Sequence, residues 1–230
     1  MFARWAKNAK AFTKVGREIA IAVKLGGAEP DNNPRLRAAI QAGRSLSMPK
    51  DTIEAAVHRA ASKSETNYEE VTYEAYAPHG VALFIETATD NTTRTVGNVR
   101  SILNRYDGSL GTTGSLSYVF DRKGVFSIKP PATDLDELEL DLIDHGLEEF
   151  FETEEGLVLY TSFNDFVAMQ KALEERKLEV LNASPQRIAK TKVELSLEQE
   201  AEVLKLIDAL EEDDDVQHVY HTLKMNEEEE

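Results

Sequence analysis

Cysteine is absent from the 230 residues, which excludes disulfides, thiolate nucleophiles and cysteine-ligated zinc and is compatible with a reducing compartment. No run of 18 apolar residues occurs, so no bilayer-spanning helix is expected. The opening MFARWAKNAKAFTKVG carries a charge every few positions and no apolar segment, so it does not read as a secretory signal. The five histidines fall in no HExxH or HxH spacing, and GxSxG, GK[ST] and kinase signatures are missing. Neither a catalytic residue, a cofactor, a metal, a small-molecule substrate nor a membrane partner is expected. Hydrophobic residues make up 41% and charged ones 30%, polar for a globular chain but far from a disordered composition. A folded, cytoplasmic protein is the expectation.

What is present is charge, unevenly placed. The formal net charge is -16, which taken alone argues against a phosphate-rich partner. Residues 1–67, however, hold twelve bases against six acids, net +6, and the remainder holds fourteen against thirty-six, net -22. The acidic extremes are 211–215 and the terminal EEEE, which read most simply as solvated surface and tail. In a helix over about 7–25, Lys7, Lys10, Lys14, Arg17 and Lys24 fall within roughly 100° of one another, with Phe12, Val15, Ile19 and Val23 opposite. One face packs and the other presents cations, suited to phosphate contact or simply to solvent. Trp5, the single tryptophan, lies at a helical angle near that of Val23, which favours burial over base stacking.

Gly26 and Gly27 stop this helix, Asn33-Pro34 starts a second over about 35–45, and a third follows Pro49 with Ile53, Ala56, Val57 and Ala60 as its apolar face. From Tyr68 the period changes to strands, VTYEAYA, VALFIET, SLSYVF and GVFSI, around a helix over about 92–106 capped from Asp90, Asn91 and Thr92, with a hairpin turn at 121–124. Beyond Pro130-Pro131, a helix over 134–145, a hairpin about Gly156, a helix from FNDFVAMQKALEERK and a strand LEVLNAS form a second α+β unit. A late helix capped by Ser196 and a last strand VQHVYHTL follow; spacing does not say which sheet that strand joins. The glycine-rich stretch 108–114 follows a helix, unlike phosphate loops, and reads as a tight connection more than a ligand cradle. Asp90, Asn91 and Arg94 read as a helix cap more than a ligand site. His218 and His221 stand three apart in a strand and read as surface or interface histidines, His58 as a helix-surface residue and His79 as a turn residue.

NPRLRAAI (33–40), MPKDTIEAAV (48–57), the block from YEEVTYEAYAPHG to TVGNVR (68–100), GSLGTTGSLSYVFDRKGVF (108–126) and SPQRIAKT near Ser184 resemble the YebC/PmpR family over most of the chain. Members usually carry a longer, more basic lead-in before the tryptophan; here four residues precede Trp5. The resemblance implies an α+β fold: an N-terminal three-helix domain, then two small α/β (ferredoxin-like) domains, the third inserted in the second. The expected domains are 1–67, 68–130 plus about 190–225, 131–189, and an acidic tail 226–230. It also implies action in gene expression, since the family is described as DNA-binding transcriptional regulators, with mitochondrial relatives that activate translation and bacterial ones linked to the ribosome.

The reading that follows is a translation-associated factor contacting RNA on the ribosome through its basic head. A DNA-binding transcriptional regulator is the first alternative, although the helix over 51–61 offers few base-reading side chains beyond His58 and Arg59. A protein-binding adaptor using the acidic body is the second. The expected phosphate contacts are Arg4, Lys7, Lys10, Lys14, Arg17, Lys24, Arg35, Arg37 and Lys50.

Overall fold

The computed structural model describes residues 2–62, 67–131, 134–153 and 156–225, with side chains from residue 9 onward. The chain divides into two compact units, one from residues 1–18, 63–121 and 188–230, the other from 19–62 and 122–187.

Helix α1 (Phe2–Gly26) gives its first part to the first unit and its end to the second. The first unit's sheet has the order β3-β1-β2-β8, from β1 (Glu69–Tyr76), β2 (Ala82–Thr89), β3 (Ser109–Leu110) and β8 (Val216–His221), all paired antiparallel. Its helices are α4 (Thr92–Arg105) and α7 (Leu197–Glu211). The first half of β2, residues 82–85, is apolar and buried because both faces of the strand are covered there. Leu83 and Ile85 pack with Val99 and Leu103 of α4 and with Val203, Leu206 and Leu210 of α7, while Ala82 and Phe84 meet Leu116 and Phe120. Burying each such Leu, Ile or Phe contributes about 1.5 to 3 kcal/mol. The last strand, whose sheet the spacing left open, pairs antiparallel with β2, Val219 opposite Ile85.

In the second unit, β5 (Leu147–Thr153), β6 (Gly156–Ser162), β4 (Phe120–Ile128) and β7 (Val180–Ala189) lie in the order β5-β6-β4-β7. Phe126 and Ile128 of β4 and Leu157 and Leu159 of β6 form a core with α5 (Leu135–Ile143) and α6 (Phe166–Glu175). Phe126 stacks on Phe166 at 4.8 Å between ring centroids. The helical segment adds α2 (Pro34–Ser45) and α3 (Lys50–Ala60). Gly27, at φ +86, ends α1 in the left-handed region that glycine tolerates. Asn33 is buried and accepts from the Leu36 amide as the α2 cap while its Nδ2 donates to the carbonyls of Ala22 and Gly27 at 2.7 and 2.8 Å. One side chain thus closes the end of α1 and the start of α2.

Two local expectations are corrected. The strand expected over 115–120 forms only at its last residue, where β4 begins, because the buried carboxylate of Glu74 accepts from the amides of Gly114 and Leu116 and from the Ser115 hydroxyl, curling residues 113–119 into turns that place Leu116 in the core. The glycine-rich stretch therefore cradles the chain's own carboxylate. Nor is there a hairpin at 121–124: β4 runs straight through, and Gly124 is small because Thr161 and Phe166 lie against it. A Cβ there would sit 2.5 Å from Thr161 Oγ1, so the glycine marks a close approach rather than a turn.

Candidate nucleic-acid interface

The cationic stripe of α1 has a partner within the chain. Lys14 Nζ donates to the carbonyl of Glu211 at 2.9 Å and Lys10 Nζ to that of Glu212 at 3.1 Å. These carbonyls belong to the end of α7, where unsatisfied acceptors and the helix dipole favour cations. Burial, against the opposing pull of Glu211, lowers the Lys14 ammonium from its ordinary value. Arg17 Nη1 donates to the carbonyls of Ala88 and Asp214, at 2.9 and 2.5 Å, and to Asp215 Oδ1 at 2.8 Å. Its guanidinium also lies 5.3 Å from the Tyr68 ring centroid.

Asp215 is the centre of this arrangement. It is 3% exposed, so the acidic run 211–215 is not solvated surface throughout. Its carboxylate accepts from Arg94 Nη2 at 2.8 Å and Thr95 Oγ1 at 2.8 Å besides Arg17. Burial pushes this acid up, but the hydrogen bonds from Arg94, Thr95 and Arg17 outweigh it and hold it below the ordinary carboxylate value. Within the Asp90, Asn91 and Arg94 cluster, only Asn91 caps α4, accepting from the Arg94 amide at 3.0 Å; Asp90 pairs with the Arg94 side chain at 2.8 Å. An open cleft of about 360 Å³ remains beside this cluster, walled by Arg17, Arg94 and Asp213 to Asp215. Sequence spacing carries no signal for Asp215 because its partners Thr95, Arg94 and Arg17 stand 120, 121 and 198 residues away.

The side chains of Arg4, Trp5 and Lys7 lie outside the described residues. Among the other expected contacts, Arg35 is half-buried and engaged, and Arg37 Nη1 donates to the carbonyls of Pro30 and Asp31 at 2.8 and 2.9 Å. Lys24 is exposed and has no polar partner among the described residues. The Lys50 side chain is 82% exposed, with Glu54 at 3.5 Å. Exposed beside it are Arg44 and His58, likewise without polar partners among the described residues, and Arg59, which touches only the Ala55 carbonyl in its own helix. Arg44 was not singled out from the sequence.

Arg44, Lys50 and His58 flank a groove of about 770 Å³ bounded by α2 and α3, whose lining includes Ile40, Met48, Ile53 and Val57. Among the described residues no group of three His, Asp or Glu side chains is placed to hold a metal ion, and no helix is long and apolar enough to cross a membrane.

A helical N-terminal segment and two four-stranded sheets, with each compact unit assembled from separated stretches of the chain, define an α+β protein. Residues 1–63 match the TACO1/YebC protein N-terminal domain and residues 68–223 the TACO1/YebC second and third domain. The chain belongs to this YebC/PmpR family. It is 55% identical to a "Probable transcriptional regulatory protein" of Anaeromyxobacter dehalogenans, over 97% of this chain and 95% of that one. A protein of the same description from Myxococcus xanthus is 50% identical over the same shares. The crystal structure of a conserved hypothetical protein from Aquifex aeolicus superposes with a TM-score of 0.83 at 36% identity, over 96% of this chain and 92% of that one.

Proposed function

We propose that this chain is a non-enzymatic regulator of gene expression that contacts RNA on the ribosome, in the cytoplasm, through the bases of its N-terminal helical segment. The observation that carries this reading is the set Lys24, Arg44, Lys50 and Arg59, held exposed on residues 19–62 beside His58, with a single weak side-chain ion pair among them within the described residues. Cations that are not neutralised internally release counterions when they meet phosphate, which is the sequence-independent part of nucleic-acid affinity. Lys10, Lys14 and Arg17 already donate to carbonyls of 211–214, so their share of the binding is smaller. Arg4, Lys7, Arg35 and Arg37 extend the proposed contact set.

The names of the relatives favour a second reading, a DNA-binding transcriptional regulator. Against it, α3 displays Asp51 and Glu54 on its exposed surface, which a duplex groove lined with phosphates would repel. Ribosome co-sedimentation and anisotropy with duplex DNA, each over a salt series, separate the two. Replacing Lys24, Arg44, Lys50 and Arg59 by alanine should abolish salt-sensitive co-sedimentation and reduce the salt slope for single-stranded RNA by about three. Binding to duplex DNA alone, lost in the same variant, would establish the transcriptional reading instead.

A further inference from the structure

Phosphate contact explains the exposed bases of the helical segment but not the apolar groove they surround. A cavity of about 770 Å³ walled by Ile40, Met48, Ile53 and Val57 gains nothing from a phosphate, which stays hydrated. A duplex cannot fill it either, because its bases are stacked and paired inside a charged sheath. A single strand can, since its bases swing out of the stack while its phosphates stay at the mouth. Among the described residues the mouth carries Arg44, Lys50 and His58, with Glu54 as the one acid lining it, and the positive character continues to exposed Arg59, as a continuous phosphate backbone requires.

We propose that the groove between α2 and α3 receives unstacked nucleobases of single-stranded RNA, with the phosphates of the same strand on Arg44, Lys50 and His58. This rests on the nucleic-acid reading above and specifies the form of its ligand. The named aliphatic walls contact base faces and present no donors or acceptors to base edges, so binding is selective for single strands and tolerant of sequence. An acidic amphipathic peptide would satisfy the same rim, and the experiment includes it.

The test uses the full chain and fluorescence anisotropy with a fluorescein-labelled oligouridine, an abasic ribose-phosphate oligomer of the same length, and a paired RNA duplex. The expected result is that the intact strand binds about tenfold more tightly than either control. Val57→Gln, at the groove wall, should remove that difference and leave the abasic affinity unchanged. A second measurement needs no variant: the methyl resonance of Met48 should shift on addition of oligouridine and not of the abasic oligomer. Equal affinity for intact and abasic strands, with Met48 unmoved, overturns the proposal while leaving phosphate contact in place. Failure of all three to bind at low salt overturns both. Displacement of the Met48 signal by a Glu/Leu amphipathic peptide but not by RNA assigns the groove to a protein partner and also overturns it.

Discussion

Asp215 shows how one side chain can hold a fold together from a sequence context that looks unremarkable. Its carboxylate accepts from Arg17, Arg94 and Thr95 at once, and removing it takes away the acceptor these three groups share, leaving Arg17 the carbonyls of Ala88 and Asp214, Arg94 the carboxylate of Asp90 and Thr95 the carbonyl of Asn91. Asp215→Ala should cost about 3 kcal/mol in chemical unfolding, the usual penalty for breaking an ion pair with a buried member; a loss within experimental error would show that water replaces the carboxylate. His221 supplies a pH dependence of known sign. Burial lowers its imidazole from the ordinary value of 6.5, assisted by Lys192 and opposed by the Leu223 backbone and Glu211, and its Nδ1 has no hydrogen-bond partner among the described residues. The unfolded chain therefore takes up the proton first, so this group's stabilisation is complete above about 6.5 and declines as pH falls through that value. Thermal melts between about pH 7.5 and 5.5 should show a smaller loss of Tm in His221→Phe than in the parent chain. Parallel losses in both would assign the acid sensitivity to other groups.

At the scale of elements, local chemistry was legible and long-range chemistry was not. The α2 cap was readable in Asn33-Pro34, the α7 capping box in Ser196, and the hairpin around Gly156 in its alternation. Gly124 misled because a strand glycine and a turn glycine look alike until Phe166 and Thr161, about 40 residues later, are seen against it. The α1 stripe was visible as a stripe, yet its acceptors at the end of α7 depend on pairing across nearly 200 residues. Of the candidate interface, the exposed bases Lys24 and Lys50 could be read from sequence, whereas the groove could not, since it exists only once α2 and α3 are set against each other. Two variants test these elements. Asn33→Ala breaks three buried or half-buried hydrogen bonds and should cost about 2 kcal/mol by urea unfolding. Lys10→Ala with Lys14→Ala should lower stability by about 1 kcal/mol, as loss of helix-terminal cations does. No change in Tm would mean that the α7 carbonyls are equally well served by water.

The whole molecule carries its charges in two opposed populations, and they should answer salt in opposite ways. Residues 68–230 bear a net -22, so at low ionic strength their mutual repulsion works against compaction. Added salt shortens the range of that repulsion to less than the distance between most surface charges. The exposed cations of 19–62, by contrast, gain their affinity for phosphate from counterion release, which salt suppresses. Raising sodium chloride from about 0.05 to 0.3 M should therefore raise Tm by about 2 to 4 °C, equivalent to about 1 kcal/mol for a chain of this length, while weakening RNA binding by a factor of ten or more. Calorimetry and anisotropy on one preparation give both numbers. A falling Tm would mean that the ion pairs at Asp215 and along α1 outweigh the repulsion of the body. Salt-insensitive RNA binding would mean that base contacts, not phosphates, hold the strand.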